Sequence, residues 1–254
     1  MHSRRSQPTL LVFTLGADRE VDRRPLLPAP LRAREVELRR AWLAATLDIG
    51  RQLGCCLEVS TPAPLALGGD VRHRSQVGHD FGSRFAAAFA AALETSSGPV
   101  VAVGADSPAF GAGHLRRALA LLASRPDRVV LGPSRDGGVY LIATATPVPG
   151  LAEEVRWCRR DTSRSLRQAL EALGREVVEL DPLHDVDGPA DLQRWLGSRH
   201  FVADLAPLAV TLRRLLARWI RPACPRRLGR PLQAPVAFSL ARAPPIPASA
   251  SATI

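Results

Sequence analysis

Along its first 200 residues this chain alternates short apolar runs with longer segments of helical period. That alternation leaves it few architectures. Thr9–Leu15 reads as a buried strand. Glu35–Leu53 places Val36, Leu38, Trp42, Ala45, Ile49 and Leu53 at helical spacing. A short strand is expected at Cys55–Ser60, a helix at Ser83–Leu93 and a strand at Val100–Gly104. Leu115–Ala123 is helical and ends before Pro126. Arg128–Leu131 and Val139–Thr144 are two strands joined by a Gly-rich turn. Ser163–Leu173 follows as a helix capped by Asp161 or Thr162. Glu176–Leu180 is a strand, and Pro189–Leu196 is a helix with proline in its first turn. This order predicts an α/β fold with a mostly parallel sheet covered on both faces. Ligands of such sheets bind at the carboxyl ends of the strands, so the residues just after each strand carry the functional information.

Composition sets the limits of that reading. At 254 residues and 46% apolar content, the chain can bury a core without disulfide or metal support. Its basic residues are all arginine, 34 against 24 acids, a net of +10. Alone, that excess points to a nucleic-acid or membrane partner. It is unevenly placed: residues 1–200 hold 26 Arg and 23 acids, whereas 201–254 hold 8 Arg and the single acid Asp204. The chain is therefore read as a domain over 1–200 and an Arg/Pro-rich tail over 201–254. The tail comprises an amphipathic helix at Leu205–Ile220 and a disordered extension. A weak contact with anionic membrane or nucleic acid through that helix is the expectation for the tail. Cys55, Cys56, Cys158 and Cys224 form neither a zinc spacing nor a disulfide framework, which favours a reduced, cytoplasmic setting. Ser3-Arg4-Arg5 ahead of Thr9–Leu15 is a poor export signal, because the apolar run is short and no cleavage site follows.

Four stretches carry candidate chemistry. Gly104-Ala105-Asp106-Ser107-Pro108 puts a carboxylate just past a strand end, where a ligand or a plain turn would want it. In Asp185-Val186-Asp187 the two acids share one side of an extended chain. Both can face one cation, and oxygen ligands of this kind suit Mg²⁺ or Mn²⁺. Alternatively, Asp187 caps the helix at Pro189. Asp136-Gly137-Gly138 lies between two strands, either as a hairpin turn or as a place where a ligand approaches the backbone. Gln76 to Arg84 opens a helix that could hold phosphate on its N–H groups with Arg84 adding charge, or could simply be capped by Asp80. No nucleophile elbow, Walker loop or zinc-protease motif occurs, and Gly111-x-Gly113 is too incomplete for a dinucleotide site.

Read in order, Q-x-x-x-D-F-G-x-R-F at 76–85, V-G-A-D-S-P at 103–108, L-G-P-S-R-D-G-G-V-Y-L-I at 131–142 and D-V-D-G-P-A-D-L at 185–192 form a pattern. It resembles bacterial GT-A-fold proteins of the nucleotide-diphospho-sugar-transferase type, distant relatives of the guanylyltransferases acting on phospholactate and molybdopterin. The resemblance covers about residues 9–197. It implies a three-layer α/β/α Rossmann-like sandwich that binds a nucleotide or nucleotide-sugar with Mg²⁺ or Mn²⁺ and a small-molecule acceptor. It further implies metal ligation by Asp106 and Asp187, with Asp185 as a further ligand, and catalytic roles for Asp106, Asp136 and Asp187. Asp136, Gly137 and Gly138 would line the sugar or acceptor pocket, and Gln76, Asp80 and Arg84 would lie near the nucleotide. The implied activity is glycosyl transfer, with nucleotidyl transfer to a phosphorylated acceptor or ligand binding without catalysis as alternatives. The sequence departs from such relatives after the first strand. They carry Gly, Lys and Thr-Arg-Leu there, whereas residues 16–28 contain no lysine, hold the acids Asp18, Glu20 and Asp22, and offer Arg23 or Arg24 as substitutes.

Overall fold

A computed structural model describes residues 6–197. The tail read at 201–254 lies outside the described residues. The elements run β1 (Thr9–Phe13), α1 (Ala17–Arg23), α2 (Arg32–Gln52), β2 (Cys56–Thr61), β3 (Val71–Ser75), α3 (Phe81–Thr95) and β4 (Val100–Gly104). They continue α4 (Ala112–Ser124), β5 (Val129–Pro133), β6 (Val139–Thr144), α5 (Thr162–Ala172), β7 (Val177–Glu179) and α6 (Pro189–Gly197). The strands form one seven-stranded sheet ordered β3-β2-β1-β4-β6-β5-β7. All neighbours pair in parallel except β6, which runs antiparallel to both β4 and β5. The α/β class and mostly parallel sheet expected from the sequence are what the chain adopts.

The strands alternate their side chains between two cores, as a sheet buried on both faces requires. Leu10, Val12, Val59, Val101 and Val103 pack with Leu43 and Leu47 of α2 and Leu115 and Leu122 of α4. Leu11, Val100, Ala102, Leu131 and Ile142 pack with Phe85 and Phe89 of α3 and Leu166 and Leu170 of α5. Register keeps the central strands level, with Val12 opposite both Val59 and Val103. The carboxyl ends of β1, β2 and β4 therefore open at one rim. At the far end of the chain, Trp195 of α6 meets Trp42 of α2 edge-on at 5.4 Å. No helix among the described residues is long and apolar enough to cross a membrane.

Two elements escape sequence pattern. β3 reads Val-Arg-His-Arg-Ser and sits on the sheet edge, where alternation of apolar side chains is not needed. Its arginines Arg72 and Arg74 pair instead with the buried Glu58 of β2. α1 has one buried residue, Val21, and at seven residues is too short to show a period.

Candidate functional site

A cavity of about 330 Å³ opens over the strand ends. Most of the predicted residues meet in it. Asp106 follows β4, Asp185 and Asp187 precede α6, and Asp136 lies in the β5–β6 turn with Gly138. Gln76 comes from just beyond β3, Arg84 from the first turn of α3, and Arg23 and Arg24 from the end of α1. Asp80 and Gly137 do not line it.

Asp80 serves α3 instead. Its Oδ1 accepts the Ser83 N–H at 2.8 Å, and the Ser83 hydroxyl accepts the Asp80 N–H in return. This reciprocal cap satisfies the helix start internally. The Asp80 side chain and the Ser83 N–H are thus committed to a capping box, and Asp80 is not among the cavity's lining residues. Gly137 has a scaffolding part. Its φ is +96°, and a Cβ there would lie 1.7 Å from the Arg160 carbonyl oxygen. The Ser163 N–H also donates to the Gly137 carbonyl at 2.9 Å. A glycine is therefore what lets the loop before α5 close onto the β5–β6 turn.

The acids lie close enough to act on one another's charge. Gly104 leaves space for Asp106 to fold back over the strand end, since a Cβ at Gly104 would lie 2.6 Å from Asp106 Oδ1. The Val186 N–H donates to the Asp106 carbonyl at 2.9 Å, which ties the Asp185–Asp187 segment to the end of β4. Burial, then the charges of Asp185, Asp187 and Glu20, push the Asp106 carboxyl up to about 8. Burial also raises Asp185, against the hydroxyls of Ser107 and Ser134 and with the help of Asp136 and Asp187. The Ser107 hydroxyl donates to Asp185 Oδ1. Asp187 is held differently: Arg24 Nη1 donates to its Oδ1 at 2.5 Å, across 163 residues of chain. Among the described residues no group of three or more His, Cys, Asp or Glu is arranged to hold a metal ion. The trio Asp106, Asp185 and Asp187 is thus brought to one cleft without forming a three-ligand cluster. Asp106 and Asp185 remain a pair of hard oxygen donors with no arginine at ion-pair distance among the described residues.

The loop after β1 resolves the lysine problem in an unexpected way. Asp18 pairs with Arg40 and Asp22 with Arg32, on exposed side chains away from the cavity. Only Glu20 lines it, and its Oε1 accepts the Leu15 N–H at 3.2 Å. The chain after α1 is anchored by Glu35, whose Oε2 accepts the N–H groups of Leu26 and Leu27 at 2.9 Å each. Glu35 is fully buried and pairs with Arg39 at 3.0 Å, and Arg39 Nη2 donates to the Arg24 carbonyl at 2.7 Å. A buried ion pair thereby fixes the backbone that presents Arg23 and Arg24. Sequence reading missed Glu35 and Arg39, since a charged i,i+4 pair on a helix ordinarily faces solvent.

It also missed the loop before α5. Trp157, Cys158, Arg159 and Arg160 all line the cavity. Trp157 packs on Phe81 and Phe85 at centroid distances of 5.4 and 5.0 Å, and Phe13 joins both phenylalanines at 5.5 Å. Among the described residues Cys158 alone combines a side chain with positive φ, at 56°. Arg23, Arg84, Arg159 and Arg160 have no carboxylate partner among the described residues. Arg84 Nε is buried without an acceptor. The only sequence signal here was the dense Trp-Cys-Arg-Arg run, which fits no spacing motif. Gln76 is oriented by its own bonds: Nε2 donates to the carbonyls of Thr14 and Ser60 at 2.9 and 3.0 Å.

Comparison with known proteins agrees with this architecture. Residues 43–159 match a family described as an uncharacterized protein conserved in bacteria (DUF2064). No curated protein matches the chain significantly. Among solved structures, a candidate nucleotide-diphospho-sugar transferase from Desulfovibrio desulfuricans aligns with a TM-score of 0.68 at 21% identity, covering 84% of this chain and 98% of that one. A 4-diphosphocytidyl-2C-methyl-D-erythritol synthase aligns with a TM-score of 0.50 at 12% identity, over 75% and 97% of the two chains. At these identities the likeness is one of fold.

Proposed function

We propose that this protein is a cytoplasmic transferase that uses a nucleotide-activated donor, with glycosyl transfer as its chemistry. One observation carries the reading. A single cleft at the strand ends brings Asp106 and Asp185, acids with no arginine at ion-pair distance among the described residues, beside Arg23 and Arg24 at the end of α1. A nucleoside diphosphate with a divalent cation matches both sets of charges. Asp106 and Asp185 would hold Mg²⁺ or Mn²⁺, a cation that keeps waters and takes its remaining ligands from phosphate oxygens. Bound there, it would supply charge neutralisation at the leaving diphosphate.

The chain's own groups do the rest. Arg23 and Arg24 offer planar, bidentate donors to phosphate oxygens, the role lysine fills in related loops. Arg24 reaches phosphate by leaving Asp187, and Asp187 is then free to meet the cation or the acceptor. Asp136 commits Oδ1 to the Gly138 N–H at 3.0 Å and keeps its second oxygen for a sugar or acceptor hydroxyl. Gln76 fixes the ends of β1 and β2 beneath the nucleotide. A second reading, nucleotidyl transfer to a phosphorylated acceptor with pyrophosphate leaving, is favoured by Arg159 and Arg160. They add positive charge beyond the α1 loop.

The test is turnover of a panel of nucleotide sugars and nucleoside triphosphates by purified protein, with small alcohols and phosphates as acceptors. Release of nucleoside diphosphate that is lost in Asp187→Ala supports glycosyl transfer, and release of pyrophosphate supports the second reading. Nucleotide binding without turnover would mark a binding protein and overturn both.

A further inference from the structure

The cleft has a second chemical region that the donor does not explain. On the face covered by α3 and α5, Phe81 and Trp157 form a partly exposed aromatic wall backed by the buried Phe85. It is a built surface. Trp157 Nε1 donates to the Leu151 carbonyl at 2.7 Å, which fixes the indole edge. Gly82 lets the indole lie on the first turn of α3, because a Cβ there would sit 2.5 Å from its ring. The next residue, Cys158, takes a left-handed backbone that a side chain seldom adopts, and the chain turns so that Arg159 and Arg160 line the same cavity. Arg84 rises from α3 beside this wall with a buried Nε that finds no acceptor. A buried guanidinium donor gains from an acceptor, which an anionic ligand group would supply.

We infer that this region is the acceptor subsite, and that the acceptor is a small amphipathic anion with an aromatic or apolar body and one phosphate or carboxylate group. The inference rests on the transferase reading of the cleft. The body lies against Trp157, Phe81 and Phe85, where offset or edge contacts between rings are favourable. The anionic group is taken by Arg84 together with Arg159 or Arg160. Simple sugars and free phosphate each use only half of such a site. The Ser163 N–H in the first turn of α5, just after this loop, donates to the Gly137 carbonyl and ties the loop's end to the Asp136 turn, so an acceptor held here is presented next to Asp136.

The test is calorimetric titration of the full chain with three probes: phenyl phosphate, inorganic phosphate and benzyl alcohol. Phenyl phosphate is expected to bind about tenfold more tightly than either of the others. Trp157→Leu should remove that advantage over inorganic phosphate, and Arg84→Gln the advantage over benzyl alcohol. Equal affinity for phenyl phosphate and inorganic phosphate in the unaltered chain would overturn the inference, whether or not the variants fold. Repeating the phenyl phosphate titration with Mn²⁺ and a mixture of the four nucleoside triphosphates separates the two readings. Unchanged phenyl phosphate binding while nucleotide is bound supports a separate subsite, and displacement overturns it. Absence of nucleotide binding, with probe selectivity intact, would count against the donor reading and leave the aromatic subsite standing.

Discussion

Glu35→Gln is the substitution whose effect follows most directly from the structure. One Glu35 oxygen receives two backbone N–H groups, from Leu26 and Leu27, and the other receives Arg39 Nε. Glutamine keeps the shape and retains only one oxygen acceptor. If its carbonyl stays with the backbone, its NH₂ group faces the Arg39 donor, and a 7%-exposed guanidinium loses its only carboxylate. Breaking a buried ion pair by removing one partner costs about 3–5 kcal/mol. For a domain near 200 residues, each kcal/mol moves Tm by about 2–4 °C, so a fall of roughly 10 °C is expected. Urea denaturation followed by circular dichroism, with a thermal scan alongside, measures both. The variant should also weaken binding of nucleotide, because Arg39 braces the Arg24 carbonyl. A stability change within about 0.5 kcal/mol, the range of ordinary surface substitutions, would refute the anchoring role of this pair.

Other consequences are equally concrete. In the metal-free protein the Asp106 carboxyl sits at about 8, above its unfolded value. The stability it contributes is therefore full below about pH 4 and is lost as pH rises through about 8. Asp106→Asn should then gain on the unaltered protein between those limits, and a stability difference independent of pH would contradict the burial argument. Gly137→Ala meets both a φ of +96° and the Arg160 carbonyl, so it should cost at least about 1–3 kcal/mol and loosen the loop before α5. Denaturation that matches the unaltered protein would show that this contact is unimportant. Burial raises the Cys55 thiol to about 11, whereas Cys56 and Cys158 are exposed. In a Cys224→Ser background two thiols should react rapidly with a disulfide reagent at pH 8 and the third should wait for unfolding. Rapid reaction of all three would place Cys55 at the surface.

How far the sequence revealed this molecule depended on what each residue packs against. Strands with continuous apolar runs, such as Thr9–Phe13 and Val100–Gly104, were legible because both faces are buried. β3 was hidden because an edge strand paired to Glu58 through arginines carries no apolar pattern. The acids that line the cavity were legible from their position near strand ends, where a parallel sheet opens to its ligands. Asp80 shows the limit of that logic, since a helix start and a phosphate site ask for the same residue types and only geometry distinguishes them. The acids after β1 looked hostile to phosphate until Asp18 and Asp22 were seen to pair with arginines outside the cavity. Arg159, Arg160 and Trp157 depend on a single turn at Cys158 and the glycine at 137 beneath it, long-range geometry that no local spacing encodes.

Under the proposed transferase function, Asp106 and its neighbours hold a cation that brings nucleotide phosphate to Arg23 and Arg24. Nucleotide titration by calorimetry, with and without Mn²⁺, in the unaltered protein and in Asp106→Ala, tests it most directly. A nucleotide at 100 times its Kd should also stabilise the fold by about 2.7 kcal/mol, which gives a thermal shift as a cross-check. Nucleotide binding is expected to depend on Mn²⁺ and to be abolished in Asp106→Ala. Equal nucleotide affinity in the variant, or binding indifferent to Mn²⁺, would contradict it.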